Sequence, residues 1–218
     1  MIRRIVAVAG VTTLLLAAWI VLSLTNRSRH DLRRFDGREV GRLETAMWRS
    51  YYDHRDVRLF GELIRLLRQQ YHLPFWRASA GAFHAARAAV VFQRGHARSE
   101  YLLALPDIER FYMLIRENSD TPFDVKKASA LELEWWIVHR ERAHRNPADL
   151  VNALAALQAE IYHEPAARFA EHAKARADAM LIRDAQAEAG NLSQADWSCI
   201  EALLERSWVS LQNAVSSR

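Results

Sequence analysis

Apolar residues recur every three to four positions through most of this chain, which is the spacing of one face of an α-helix. The stripes run from Val40 to Leu211, and no segment alternates with the period of two that is typical of a strand. The 218 residues include only 7 Gly and 5 Pro, too few for the frequent tight turns of an all-β fold. The sequence therefore predicts an all-α protein, with about eight helices packed as a compact antiparallel array or bundle.

Start and stop signals divide the region 37–218 into these eight predicted helices. Pro74, Pro106 and the pair Asn146-Pro147 supply helix starts, and Gly190 supplies a stop. No repeat of fixed length indicates a solenoid, although consecutive helix pairs leave that arrangement open. The predicted helices cover about residues 37–53, 56–72, 74–93, 122–143 and 165–189, and three more begin at about residues 106, 147 and 193.

A run of twenty uncharged residues, 5–24, precedes the helical region. At 1.5 Å per residue, a helix of this length matches a hydrocarbon core of about 30 Å. No convincing small-x-small cleavage site comes after it, so an uncleaved signal anchor over residues 1–25 is preferred to a removed signal peptide. Residues 26–36 would then form a basic juxtamembrane segment, and residues 37–218 the α-helical globular domain.

The predicted location is a single-pass protein of a bacterial-type inner membrane, with residues 5–24 contacting the lipid bilayer. Two flanking signals conflict over its orientation. Six arginines between residues 27 and 42 outnumber Arg3 and Arg4, which by the positive-inside rule keeps the domain cytoplasmic. A short N-terminal tail with two arginines is instead typical of a segment that keeps its N-terminus inside and exports the domain that follows. We favour this second orientation.

Charge is distributed unevenly along the chain, although the formal net charge is only +4. Residues 27–98 carry a net charge of +8, whereas residues 99–218 carry −6. The net charge of the whole chain is too small to indicate nucleic acid as a partner. The basic 27–98 half would suit anionic lipid headgroups. Attraction between the two halves explains the same distribution without any partner, and we prefer that interpretation.

Several charged residues fall on helix faces that are otherwise apolar. One hypothesis is an interior site, in which Glu132 acts as an acid or base beside His139 while Arg87 and Arg176 hold an anionic ligand. The other is a set of buried ion pairs that specify packing without chemistry, and we favour it because pairing satisfies buried charge. The candidate residues are Glu44, Arg87, Glu132, His139, Arg176 and Asp184.

Motifs for metal or nucleotide chemistry are not found. A di-iron bundle needs two Glu-x-x-His pairs, and only Glu160 with His163 has that spacing, with His163 directed away from the apolar stripe. The single cysteine, Cys199, excludes a cysteine-rich zinc site. There is neither a P-loop nor a Gly-x-Gly-x-x-Gly sequence. We therefore predict no metal site and cannot name a cofactor.

Seven tryptophans are the last unusual feature, since large aromatic residues occur in both cores and interfaces. Tyr52 and Trp136, near the edges of their apolar faces, are the candidates for contact with a protein partner. The functional hypothesis is a membrane-anchored binding or accessory module, for example a subunit of a membrane complex. The alternative is a membrane-tethered helical enzyme or ligand-binding bundle with an interior Glu/His/Arg site.

Overall fold

Helices make up nearly all of the regular structure in the computed structural model, which describes residues 11, 13–22 and 29–216. In this part of the chain, the only strand-like feature is an isolated bridge between His30 and Ser119. The prediction of an all-α bundle is therefore confirmed. The long helices are α1 Gly37–Tyr52, α2 Asp56–Tyr71, α3 Phe75–Arg94, α4 Leu105–Glu117, α5 Val125–Arg140, α6 Pro147–Tyr162, α7 Ala170–Glu188 and α8 Gln194–Ser216.

The eight helices form a closed ring. Each one packs against the helices before and after it in the chain, and α8 packs against both α7 and α1. Because the connections are short, successive helices run antiparallel. Their inward faces surround one shared core, in which Leu154, Phe169, Ile200 and Leu204 are fully enclosed.

Two glycines allow the ring to close between α1 and α8. A Cβ atom at Gly41 would lie 2.6 Å from the Cα atom of Glu205, and one at Gly37 would be as close to the backbone of Trp208. No side chain fits at such distances, so the backbones of α1 and α8 can approach this closely only where α1 has glycine. Val40 and Leu204, beside this contact, are completely buried.

Local capping fixes several helix ends where the sequence predicts them. Asp36 caps α1 by accepting hydrogen bonds from the backbone N–H groups of Arg38 and Glu39. Asn146 forms a complete capping box at the start of α6, with Pro147 as the first helical residue. Gly190 adopts a φ of +69° just beyond α7, the left-handed conformation that ends a helix.

Several other helix ends differ from the sequence prediction by a few residues. Helix α5 begins after the capping residue Asp124, and the predicted last turn is instead the 3-10 helix Arg142–His144. The start of the seventh predicted helix is the 3-10 helix Ala166–Phe169. The link before α4 contains one unpredicted helical turn, Arg98–Tyr101, followed by the 3-10 helix Leu102–Ala104.

Residues 29–36 belong to the packed domain. Leu32 and Phe35 are buried in the common core. The backbone of His30 bonds on both sides to the loop after α4, donating to the Asn118 carbonyl at 2.9 Å and accepting from the Asp120 N–H at 3.1 Å. Residues 26–28 of the predicted juxtamembrane segment lie outside the described residues.

The prediction of an N-terminal transmembrane helix, and with it of a single-pass membrane location, is contradicted. Among the described residues, no helix has both the length and the apolar character needed to cross a bilayer. Residues 5–10, 12, 23 and 24 of the predicted segment lie outside the described residues.

Replacing Gly41 with alanine tests the ring closure. We expect Gly41→Ala to lower the free energy of unfolding by about 1–3 kcal/mol, because the added methyl group must push α1 and α8 apart. Gly61 of α2 is a matched control, since a Cβ there meets nothing within 4 Å. Gly61→Ala should stabilise the chain by about 0.5–1 kcal/mol. Urea denaturation measures both changes, and equal stability of the two variants would contradict the close contact.

Candidate functional site

The predicted residue Glu44 lies at the centre of an interior polar cluster. Its side chain is 1% exposed. The guanidinium of Arg176 donates to Glu44 Oε1 from Nε at 3.1 Å and from Nη2 at 2.7 Å, and the indole N–H of Trp208 donates to Glu44 Oε2. Both carboxylate oxygens therefore accept hydrogen bonds from α7 and α8.

Arg176 connects this carboxylate to the opposite side of the ring. Its guanidinium carbon lies 5.1 Å from the ring centroid of Trp135 in α5. Burial by itself would lower the pKa of Arg176, but the carboxylates of Glu44 and Glu132 raise it above its ordinary value. The guanidinium therefore remains charged, balanced by carboxylates from α1 and α5.

Glu132 is held by two donors of its own. The Tyr112 hydroxyl donates to Oε2 at 2.8 Å, and the Trp136 indole N–H donates to Oε1 at 2.9 Å. Burial raises the pKa of Tyr112 well above its ordinary value, and the Glu132 carboxylate raises it further. The phenol therefore keeps its proton and acts as a hydrogen-bond donor. We define the interior polar cluster as Glu44, Tyr112, Glu132, Trp136, Arg176 and Trp208, together with His172.

His172 is the member that sequence reasoning missed. It is completely buried, and its Nδ1 lies 2.8 Å from Ser207 Oγ and 3.1 Å from the Ser207 carbonyl oxygen. Burial lowers its pKa to about 3, and the charge of Arg176 contributes in the same direction. The imidazole is therefore neutral. A signal was present in the sequence, since His172 precedes Arg176 by one helical turn and so shares its face.

His139 and Asp184 form a second cluster at the ends of α5 and α7. His139 Nε2 lies 3.0 Å from Asp184 Oδ2, and the guanidinium groups of Arg142 and Arg183 lie 3.1 Å and 2.8 Å from the same carboxylate. Burial by itself would raise the pKa of Asp184, but these neighbours, His139 first, lower it below its ordinary value. Asp184 is therefore a carboxylate that contacts two guanidinium groups and one imidazole.

Glu132 and His139 thus do not share a site. They are seven residues apart on α5, about 10 Å along the helix axis, and each contacts a different set of partners. Glu132 belongs to the interior polar cluster, whereas His139 belongs to the Asp184 cluster. The structure brings together Glu44 and Arg176, and separately His139 and Asp184.

The expectation that Arg87 faces the interior is wrong. Its side chain is 54% exposed, and its Nε lies 3.3 Å from Asp107 Oδ2. The buried arginine of α3 is Arg77, 2% exposed, which donates to Glu117 at 3.1 Å. Helix α3 is apolar nearly all round, and apart from Arg77 its fully buried residues are small ones, three alanines and a glycine. Phe83 and Val90, which flank Arg87 on its face of the helix, also point outward.

The two aromatic residues proposed for partner contact, Tyr52 and Trp136, are both half-buried in contacts within the chain. The guanidinium carbon of Arg183 lies 3.1 Å from the ring centroid of Tyr52, and burial raises the pKa of this tyrosine to about 12. The Trp136 ring packs edge-on against Phe92, with 5.3 Å between centroids. Both side chains contribute to the structure of the domain.

The chemistry available to the interior polar cluster is limited by its own hydrogen bonds, which occupy every carboxylate oxygen of Glu44 and Glu132. Within the described residues, no group of three His, Cys, Asp or Glu side chains is placed to hold a metal ion. The one cysteine, Cys199, is exposed. Compared with protein-family models, curated proteins and solved structures, the chain gives no match.

Substitution of Glu44 tests whether its ion pair with Arg176 is structural. In Glu44→Gln, the amide nitrogen faces donors that need acceptors, and the buried guanidinium loses its compensating charge. We expect a loss of about 3–5 kcal/mol in the free energy of unfolding. The matched control is Asp178→Asn, which breaks the exposed pair with Lys174 and should change stability by less than about 1 kcal/mol. Similar losses in the two variants would contradict a structural role.

His172 should make stability depend on pH between 7 and 5. Its folded pKa of about 3 lies below the unfolded value of 6.5, so only the unfolded chain takes up a proton there. The stabilisation is complete above pH 6.5 and is lost as the pH falls, by about 2 kcal/mol at pH 5. Urea denaturation at several pH values measures this loss.

Two histidine variants identify the source of that pH dependence. His172→Gln removes the titrating group and should flatten the profile between pH 7 and 5. His96→Gln replaces an exposed histidine and should leave the profile unchanged. A profile with the same slope in His172→Gln as in the original chain would contradict the assignment.

Proposed function

We propose that this chain is a non-catalytic binding or accessory module, which contacts a protein partner through the outward face of α3. The observation that carries this proposal is a stripe of exposed apolar side chains on that helix. Phe75, Phe83 and Val90 are 40%, 50% and 44% exposed. Together with the exposed Ala86 they form what we call the α3 stripe.

The spacing of these residues places them along one side of α3. Positions 75, 83, 86 and 90 fall within about 80° of one another around the helix and extend over about 22 Å of its axis. The following 3-10 helix packs against α3 and adds Leu102 and Leu103, which are 47% and 67% exposed. Single exposed apolar residues are common, whereas a contiguous row of them is typical of an interaction surface.

The ring leaves this face of α3 uncovered because the helix packs inward through other residues. Its contacts with α2 and α4 are made by a face of small residues that includes Ala78, Gly81 and Ala82. Phe75, Phe83 and Val90 are consequently not needed for the core. A docking partner would remove them from water, which is favourable by about 25 cal/mol per Å² of apolar surface.

Charge beside the stripe suggests the chemistry of the partner. Arg94 is exposed on the same side of α3, and the Arg87 guanidinium carbon lies 5.7 Å from the ring centroid of Phe83. An amphipathic helix with an apolar ridge and flanking carboxylates would complement this surface. We therefore propose such a helix as the partner element.

The interior contacts support a scaffold role. Ion pairs and hydrogen bonds join α1, α4, α5, α7 and α8 inside the ring, and together they favour a single arrangement of these helices. A rigid framework holds the α3 stripe in a fixed shape and so lowers the entropy cost of binding. An interior enzyme site would instead require a ligand to displace hydrogen bonds already made to Glu44 and Glu132.

Site-specific photo-crosslinking tests the proposal. A photoreactive phenylalanine analogue placed at Phe83 or at Val90 should crosslink one and the same partner protein in cells. The analogue at Arg65, which is exposed on α2, is the positional control and should not give this product. Arg94→Glu should reduce the yield at position 83 by about tenfold, since it places like charges across the interface.

The matched charge control is Arg65→Glu, which should leave the yield at position 83 unchanged. Circular dichroism verifies that each variant keeps its helix content. Equal yields from positions 65, 83 and 90, or a product insensitive to Arg94→Glu, would contradict the assignment of this surface.

A further inference from the structure

A cavity of about 270 Å³ lies where α1 ends and where α2 and α8 begin. It is separate from the α3 stripe and from the interior polar cluster. We call it the arginine cavity, and its lining residues are Arg49, Ser50, Asp53, Arg55, Arg58 and Trp197.

Cationic groups dominate this lining, with three guanidinium groups against one carboxylate. Arg49 donates to the neutral side chain of Gln194 and forms no ion pair with a described residue. Arg58 uses its Nε to bind Glu62 at 2.8 Å, so its two terminal NH₂ groups remain available as donors. Arg55 pairs with Asp53 at 3.3 Å, so Arg49 is the guanidinium of this lining that no described carboxylate neutralises.

Ser50 supplies an independent indication of a ligand. It is only 2% exposed and lines the cavity, yet its hydroxyl makes no hydrogen bond to any described residue. An oxyanion in the cavity would accept a hydrogen bond from this hydroxyl. Other serines on helices of this chain bond to a carbonyl one turn earlier, as Ser79 and Ser129 do.

The surrounding backbone and aromatic residue fit an anion as well. Arg55 occupies the N-cap position of α2 without a side-chain capping bond, so first-turn N–H groups of that helix have no cap. The Arg49 guanidinium carbon lies 5.1 Å from the ring centroid of the buried Trp197, which holds the guanidinium in place. Preorganised donors of this kind suit a tetrahedral oxyanion.

We propose that the arginine cavity binds a phosphate group, either as free phosphate or on a small phosphomonoester. Guanidinium groups, a hydroxyl and helix N–H groups are the donors that phosphate sites use. The volume lies below the range of about 300–1,000 Å³ that drug-sized ligands occupy, which limits the ligand to a small molecule.

Calorimetric titration of the full chain with inorganic phosphate and with phenyl phosphate tests this site, using chloride at equal ionic strength as the control ion. We expect saturable binding of at least one ligand with a dissociation constant of about 1 mM or below. Tighter binding of phenyl phosphate would identify an aromatic phosphomonoester as the ligand class, and equal affinities would identify the phosphate group alone. Both results support the proposal.

Charge-matched variants locate the binding. The double variant Arg55→Gln/Arg58→Gln should weaken phosphate binding at least tenfold. The Arg55 and Arg58 side chains are 58% and 61% exposed, so their replacement should have little effect on folding. Arg65→Gln/Arg68→Gln removes the same charge from exposed positions of α2 and should bind like the original chain.

Ser50→Ala should weaken binding severalfold and provides a second test if the double variant fails to fold. Absence of saturable binding to the original chain would overturn the proposal. So would phosphate affinity that is unchanged in Arg55→Gln/Arg58→Gln, or in Ser50→Ala.

Discussion

The ion pair between Glu44 and Arg176 is the interaction on which the interior of this domain depends. It joins α1 to α7 across the ring, and Trp208 of α8 donates to the same carboxylate. Two buried charges are costly to remove from water, so the pair is tolerable only where every remaining donor and acceptor has a partner. The helices that supply those partners must therefore hold one relative position.

Close packing between α1 and α8 fixes the relative position of these two helices. The glycines of α1 bring its backbone against α8, which places Glu44 within reach of both Trp208 and Arg176. On the opposite side, Tyr112 and Trp136 orient the Glu132 carboxylate. The charge of Glu132 also helps to raise the pKa of Arg176. The polar interior and the closed ring thus depend on each other. The surfaces proposed for binding, the α3 stripe and the arginine cavity, lie on the outside of this framework.

Much of the fold could be predicted from local signals in the sequence. Helical periodicity gives the all-α class and the eight long helices, and the signals at Asn146 and Gly190 mark ends that the structure confirms. Periodicity also identified Glu44 and Arg176 as charges on apolar faces. The membrane prediction relied on the composition of one run, and among the described residues no helix is both long and apolar enough to cross a bilayer.

The sequence by itself determined which residues share a helix face, because helical geometry fixes that relation locally. Only the tertiary structure decided which face of α3 meets the core, burying Arg77 and leaving Arg87 in solvent, since both sides of that helix are apolar enough to pack. It also separated Glu132 from His139, although they lie on the same helix. The partners of a buried charge come from other helices, and their positions depend on how all eight pack together.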